Sequence, residues 1–266
     1  MIDNPSWRIK NVTGDDLIFN NTAFYWGFNF SNPDMRNAWI DECITATKQG
    51  CKGCFIDEAN VHQGLPNWPS DSQVLLDWQK AHIVAIGELD QALARTGGYT
   101  INNHLGLSGS SNAAMMIEDF VGVENCIEVL QTITSRNITV EAFVGDYPEG
   151  NQCINGDTSS LAAFLIGAGE NAYYHCALAW HSEESWPDVP DTWLDWLPEY
   201  DMPLGEPLGL ATKQGAIWTR SFASGTRVEF NSSSNQGSIH WAHGVVQTGH
   251  ARDISAVSKG CIWEVI

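Results

Sequence analysis

The chain has 266 residues, 43% of them hydrophobic and 17% charged, which are the proportions of a packed globular protein and exclude general disorder. Thirteen basic residues against 32 acidic ones leave a formal charge of −19, which repels phosphate backbones and anionic lipids, so neither nucleic acid nor a membrane surface is expected as partner. The longest apolar stretch, Leu161 to Gly169, falls far short of the ~18 residues that span a bilayer, and no membrane segment is expected.

Ile2 to Phe30 reads as irregular and aromatic. Asn32-Pro33-Asp34 then has the form of a helix start, with proline in the first turn and an acid at the positive end of the dipole. The helix is expected over about Met35–Lys48, ended by Gly50. Gly53-Cys54-Phe55-Ile56-Asp57 is a short apolar run ending in an acid, the pattern of a buried parallel strand. A long helix is expected over about Gln73–Arg95, capped by Ser70 or Asp71 and stopped by Gly97-Gly98. Strands at Tyr99–Asn103 and Ala113–Glu118 follow. A helix at Val123–Ser135, a strand at Ile138–Val144, a helix at Ser159–Gly167 and a strand at Ala172–Leu178 continue the alternation. Such spacing calls for an α/β fold with a parallel sheet.

After Trp180 the character changes. Pro187 to Pro207 is a Trp- and Pro-rich connection. Ala216–Phe222, Thr226–Phe230 and Ser238–Trp241 then alternate in period two between Gly and Asn/Ser turns, as a small antiparallel appendage would. The expected organisation is a partial barrel over residues 1–185, then the connection and C-terminal β appendage over 186–266.

The proposed parallel strands carry polar groups at or near their ends: Asp57 and Glu58, Asn102, Asn103 and His104, Glu118 and Asp119, Glu141, Tyr173 and His175. In a closed α/β barrel such ends converge on one catalytic face. An open doubly wound sheet would instead show a glycine-rich phosphate loop after an early strand, and Gly97-Gly98 precedes a strand. The expected fold is therefore a TIM-type barrel. Glycoside hydrolysis needs two carboxyl groups, and Asp57 and Glu118 form the expected catalytic pair. Glu141 lies inside its strand, where alternation can aim it inward as an alternative proton donor or a partner for sugar hydroxyls. Glu58, Asn102, Asn103, His104, Asp119, Glu141, Tyr173 and His175 are the expected substrate-binding residues. Of the twelve tryptophans, most are expected in cores, the remainder on sugar rings.

No Gly-X-Ser-X-Gly, His-Glu-X-X-His or Walker loop is present. Cys51-Lys52-Gly53-Cys54 has the spacing of half a zinc site but lacks a second half, and Cys54 lies in a strand, which favours a buried thiol or a disulfide. No metal and no cofactor are expected, and no oligomeric state is specified. Seven cysteines and five Asn-X-Ser/Thr sequons (Asn11, Asn20, Asn29, Asn137, Asn231) favour a disulfide-bonded glycoprotein of the extracellular space or secretory pathway. Met1 to Lys10 is polar and lacks the apolar stretch of a signal peptide.

The stretch Phe28 to Trp39, followed by Gly53-Cys54-Phe55-Ile56-Asp57-Glu58-Ala59-Asn60, resembles hypothetical glycosidase-like TIM-barrel families, distant relatives of the α-galactosidase clan. Pro5 to Lys10 upstream, and Leu204 to Gly209 with Trp218-Thr219-Arg220-Ser221-Phe222 downstream, are similar to the family's flanking segments. The resemblance covers roughly residues 5–241. Lys52 departs from it, standing where the family often has aspartate. The resemblance implies that Asp57 ends the fourth barrel strand as nucleophile or catalytic base, and that Glu118 follows the sixth strand as acid. It implies strands four to eight only, so an N-terminally truncated chain is expected. A glycosidase acting on a neutral polysaccharide or oligosaccharide is the expected function. The alternatives are a polysaccharide lyase using Tyr173, Tyr174 or His175 as base, and an inactive carbohydrate-binding domain.

Overall fold

A computed structural model describes residues 4–11, 13–20, 24–57, 73–103, 114–117, 120, 123–145, 158–177, 196–242 and 246–248. The chain divides into two compact units, the first ending at Met115 and the second running from Met116 to Trp263.

The first unit begins with a single 3-10 turn, Pro5–Trp7, and a hairpin of β1 (Ile18–Asn20) and β2 (Phe24–Trp26). The sequence signals only irregular chain here, because three-residue strands are too short to show an alternation. Arg8 and Asp16 pair at 2.9 Å, and Lys10 binds the same carboxylate. Helix α1 (Pro33–Lys48) starts two residues before its expected position. Asn32 is its N-cap, with Oδ1 accepting from the backbone N–H of Asp34 (2.9 Å) and Met35 (3.2 Å), and Pro33 occupies the first turn.

Strand β3 (Gly53–Ile56), helix α2 (Gln73–Ala94) and strand β4 (Tyr99–Asn103) follow the sequence expectation to within a residue or two. β3 and β4 pair in parallel, Gly53 opposite Tyr99 and Ile56 opposite Asn102. Gly53 is required by this register: a Cβ there would stand 1.7 Å from the Tyr99 carbonyl oxygen. The buried stripe of α2 is Trp78, His82, Ala85, Ile86, Leu89, Asp90 and Leu93, a helical period carrying two polar residues. Phe30 lies at the centre of the N-terminal core with Ile9, Leu17, Met35, Trp78 and Ala85, and Trp7 and Trp39 pack against it. The Phe28–Trp39 and Pro5–Lys10 motifs thus owe their residue types to packing as well as to any chemistry.

The unit boundary falls within β5 (Ala114–Ile117). The second unit continues with α3 (Glu124–Ser135), β6 (Val140–Gly145), α4 (Thr158–Gly167) and β7 (Ala172–Ala177). β6 and β7 pair in parallel, with Glu141 opposite Tyr173 and Phe143 opposite His175. The parallel strands form one five-stranded sheet in the order β3-β4-β5-β6-β7.

Helix α4 is buried from Ser159 to Gly167, as a helix that is apolar on every side after its first turn must be. It packs against α3 and against a second, antiparallel sheet of β8 (Thr212–Gln214), β9 (Ile217–Ser221), β10 (Arg227–Asn231), β11 (Gln236–His240) and β12 (Val246–Thr248), in the order β12-β11-β10-β9-β8. The antiparallel strands expected from the sequence are therefore present, with two further short ones. Gly237 lets β11 lie directly on α4: its N–H donates to Ser159 Oγ at 3.1 Å, and a Cβ would be 2.5 Å from that of Ala162. Arg220 of β9 is buried and its Nη1 donates to the carbonyls of Leu165 (2.9 Å), Ile166 (3.3 Å) and Ala168 at the C-terminal end of α4. A guanidinium there satisfies the orphan carbonyls and complements the negative end of the helix dipole. Trp218 Nε1 donates to Glu124 Oε1 at 2.8 Å, and Lys213 pairs with the same carboxylate, holding its pKa below the usual range.

Candidate active site

In the first unit, Asp57 directly follows β3. By register it stands beside Asn103, the last residue of β4, and on a parallel sheet such neighbours share a face. Asn103 Nδ2 donates to Asp57 Oδ1 at 2.9 Å. Alternation puts Phe55 on the same face, and the residue is 46% exposed although parallel sheets normally cover both faces. Asp57 is exposed and Asn103 buried, so a fixed amide orients an accessible carboxylate.

Asn102 points the other way. It is fully buried, and its Nδ2 donates to Thr100 Oγ1 at 3.1 Å. The Thr100 hydroxyl in turn donates to Asp90 Oδ1 of α2 at 2.5 Å. The amide nitrogen can only donate, so the threonine oxygen accepts from it and gives its own proton to the carboxylate. Asn102 Oδ1 is buried with no hydrogen-bond partner among the described residues. Thr100 and Asp90 escaped the sequence reading. Their signals were present, since Thr100 shares the alternation of Asn102 and Asp90 interrupts the apolar stripe of α2 between Leu89 and Leu93.

In the second unit, Glu141 is the second residue of β6 and His175 the fourth of β7. Glu141 Oε1 and His175 Nδ1 are 3.1 Å apart, both partly exposed. Phe143 lies on the same face and meets the His175 ring at 5.2 Å and 66°. Tyr173, opposite Glu141, is 61% exposed. Tyr174 faces the opposite side, where it meets Phe164 of α4 at 5.3 Å. The structure thus gathers Glu141, Tyr173 and His175 on one face of β6 and β7, and Asp57 and Asn103 on one face of β3 and β4. Glu58, His104, Glu118 and Asp119 lie outside the described residues.

Cys54 forms a disulfide with Cys43 of α1, which removes it from any zinc site. Cys126 and Cys176 are also disulfide-bonded, and Cys51 is a free, exposed thiol. Among the described residues no helix is long and apolar enough to cross a membrane.

An accessible carboxylate just past the end of a parallel strand stands where α/β enzymes commonly carry catalytic groups. The chain belongs to hypothetical glycosyl hydrolase family 15, whose sequence profile matches residues 2–226. No curated protein matches it. Among solved structures it is similar to the glycoside hydrolase domain of PelA from Pseudomonas aeruginosa, at 15% identity and a TM-score of 0.41, over 62% of this chain and 68% of that one.

Proposed function

We propose that the chain is an O-glycosyl hydrolase acting on a neutral polysaccharide or oligosaccharide, with β3 to β7 serving as strands four to eight of a partial TIM-type barrel. The observation that carries this reading is the Asp57 carboxylate held by Asn103 in a chain of a glycosyl hydrolase family. Asp57 attacks the anomeric carbon or takes the proton of the attacking water, while Glu118 protonates the departing glycosidic oxygen. Glu141 is the alternative proton donor. Glu58, Asn103, His104, Asp119, Tyr173 and His175 bind sugar hydroxyls, and Asn102 supports β4 from behind. The net charge of −19 favours a neutral glycan over a polyanionic one. The disulfides favour an oxidising, extracellular or secretory compartment.

The test is sugar release from a panel of polysaccharides by the wild-type protein and its Asp57→Asn variant. Release that vanishes in the variant is expected. Unsaturated, ultraviolet-absorbing products that depend on Tyr173 or His175 would replace this reading with a lyase. Glycan binding without turnover would replace it with a carbohydrate-binding domain.

A further inference from the structure

The side of β4 turned away from Asp57 carries polar groups where a parallel sheet ordinarily packs apolar side chains against its helices. Thr100 and Asn102 of β4 and Asp90 of α2 are each 1% exposed or less. Apolar residues in these places would hold α2 to β4 as well or better, because burial of polar groups carries a desolvation cost that hydrogen bonds only offset. What a buried polar network adds is one defined geometry.

That geometry has a direction. Asn102 Nδ2 donates to Thr100 Oγ1 at 3.1 Å, and Thr100 gives its single hydroxyl proton to Asp90 Oδ1 at 2.5 Å. A reversed amide would present its oxygen to a hydroxyl with no proton left to give, so Asp90 settles which way round Asn102 lies. Asn102 and Asn103 share one planar peptide. Fixing the first side chain therefore constrains the Cα from which the second leaves on the opposite face.

Asn103 has need of support from behind. The paired residues of β3 and β4 end at Ile56 and Asn102, so the contact of Asn103 with Asp57 lies one residue beyond that ladder. On the Asp57 face, Phe55 and Tyr99 are 46% and 40% exposed, whereas Ile56, Thr100 and Asn102 behind them are buried. Both strands are tied on that buried side. Cys54 of β3, opposite Thr100 in register, bonds to Cys43 of α1, and Thr100 bonds to Asp90 of α2.

We propose that Asp90, acting through Thr100 and Asn102, is a positioning residue for the reaction at Asp57, because it fixes the end of β4 where Asn103 meets the carboxylate. The proposal rests on the reading of Asp57 as the catalytic carboxylate. Displacement of a reacting group by about 1 Å can cost on the order of 100-fold in rate, so a rigid support matters well away from the chemistry.

The experiment compares the whole chain as wild type, Thr100→Val, Asn102→Ala and Thr100→Ser. Thr100→Val keeps the side-chain shape and removes the hydroxyl. Asn102→Ala removes the last link and leaves the Thr100–Asp90 bond in place, so it decides the matter if Thr100→Val does not fold. Two quantities are read: kcat and KM on the polysaccharide that the wild type cleaves, and the side-chain amide signals of Asn103 in proton–nitrogen NMR, assigned by their loss in Asn103→Ala. In Thr100→Val and Asn102→Ala, kcat is expected to fall about tenfold with KM within about twofold of wild type. The Asn103 signals are expected to move toward those of a free amide. Thr100→Ser, which keeps the hydroxyl, is expected to restore both. A lower thermal midpoint with kcat and the Asn103 signals unchanged would show that the network only holds α2 to the sheet, and overturns the proposal. Unmoved signals in an active enzyme sink the positioning alone. Signals that follow Thr100 in a protein that cleaves nothing would uphold the positioning of Asn103 on Asp57 and sink the hydrolase reading.

Discussion

Asn103 and Asp57, the next pair in register beyond Asn102 and Ile56, are joined by one hydrogen bond, 2.9 Å from the amide nitrogen to the carboxylate oxygen. The amide is buried and the acid accessible, so the bond from Asn103 fixes one oxygen of Asp57 toward the amide. Asn103→Ala is expected to lower kcat by about 10- to 100-fold, in the range seen when a group that orients a reacting residue is lost. Asn103→Asp, which sets a second carboxylate against the first, is expected to cost more. Steady-state kinetics on the polysaccharide cleaved by the wild type would decide it, and an unchanged kcat in Asn103→Ala would remove the orienting role.

His82 lies in the buried stripe of α2, stacked on Phe30 at 4.3 Å and 7°, with Nδ1 buried and without a hydrogen-bond partner among the described residues. Desolvation lowers its pKa from 6.5 to about 4. The unfolded imidazole takes up its proton near pH 6.5, while the folded one resists until about pH 4. Stability from this group is therefore complete above pH 6.5 and falls between 6.5 and 4, by on the order of 3 kcal/mol. Chemical denaturation from pH 7.5 to 4.5 should show this slope, and His82→Phe should flatten it. An equal slope in the variant would assign the acid sensitivity to the carboxylates instead.

Arg220, 8% exposed, closes the C-terminal end of α4. Burial lowers its pKa, yet a guanidinium stays charged, so its donors must remain paired. Arg220→Met removes the donors and leaves several carbonyls without them, at an expected cost of about 2–4 kcal/mol. Arg220→Lys is expected to recover only part, because an ammonium lacks the planar fork that reaches separate carbonyls. Thermal midpoints several degrees lower for both variants are expected, with Met the worse.

The Cys43–Cys54 bond ties α1 to β3, three residues before Asp57. Closing a loop of this size stabilises by about 3 kcal/mol through the entropy of the unfolded chain. Cys43→Ser combined with Cys54→Ser should lower the denaturation midpoint accordingly. Mild reduction of the wild type should do the same, and an unchanged midpoint in the double variant would show that packing alone holds β3.

Gly53→Ala offers a sharper test of the same strand. Its Cβ would overlap the Tyr99 carbonyl, so β3 and β4 cannot keep their register. Poor folding is expected, with insolubility on expression as the simplest readout.

Much of the fold was legible in the sequence because strand and helix periods are local properties. Pro33 and Asn32 announced α1, and the apolar run from Gly53 announced β3. The same locality explains what went unread. β8 and β12 have only three residues, and the β1–β2 hairpin lies in a segment without alternation. Asp57 and Asn103 were both legible as strand-end residues, but their hydrogen bond joins positions 46 apart and depends on strand register. The Asp90–Thr100–Asn102 chain likewise forms only when α2 packs on β4.

The amino-acid sequence by itself determined the order of strands and helices, the apolar faces, the charge and the family, since each is set by residue type and spacing along the chain. Only tertiary structure decided that Cys54 bonds to Cys43, that Asn102 turns inward while Asn103 turns to Asp57, and that Arg220 serves a helix end. Those outcomes depend on register and packing between distant segments, where a shift of one residue would send each side chain to the opposite face.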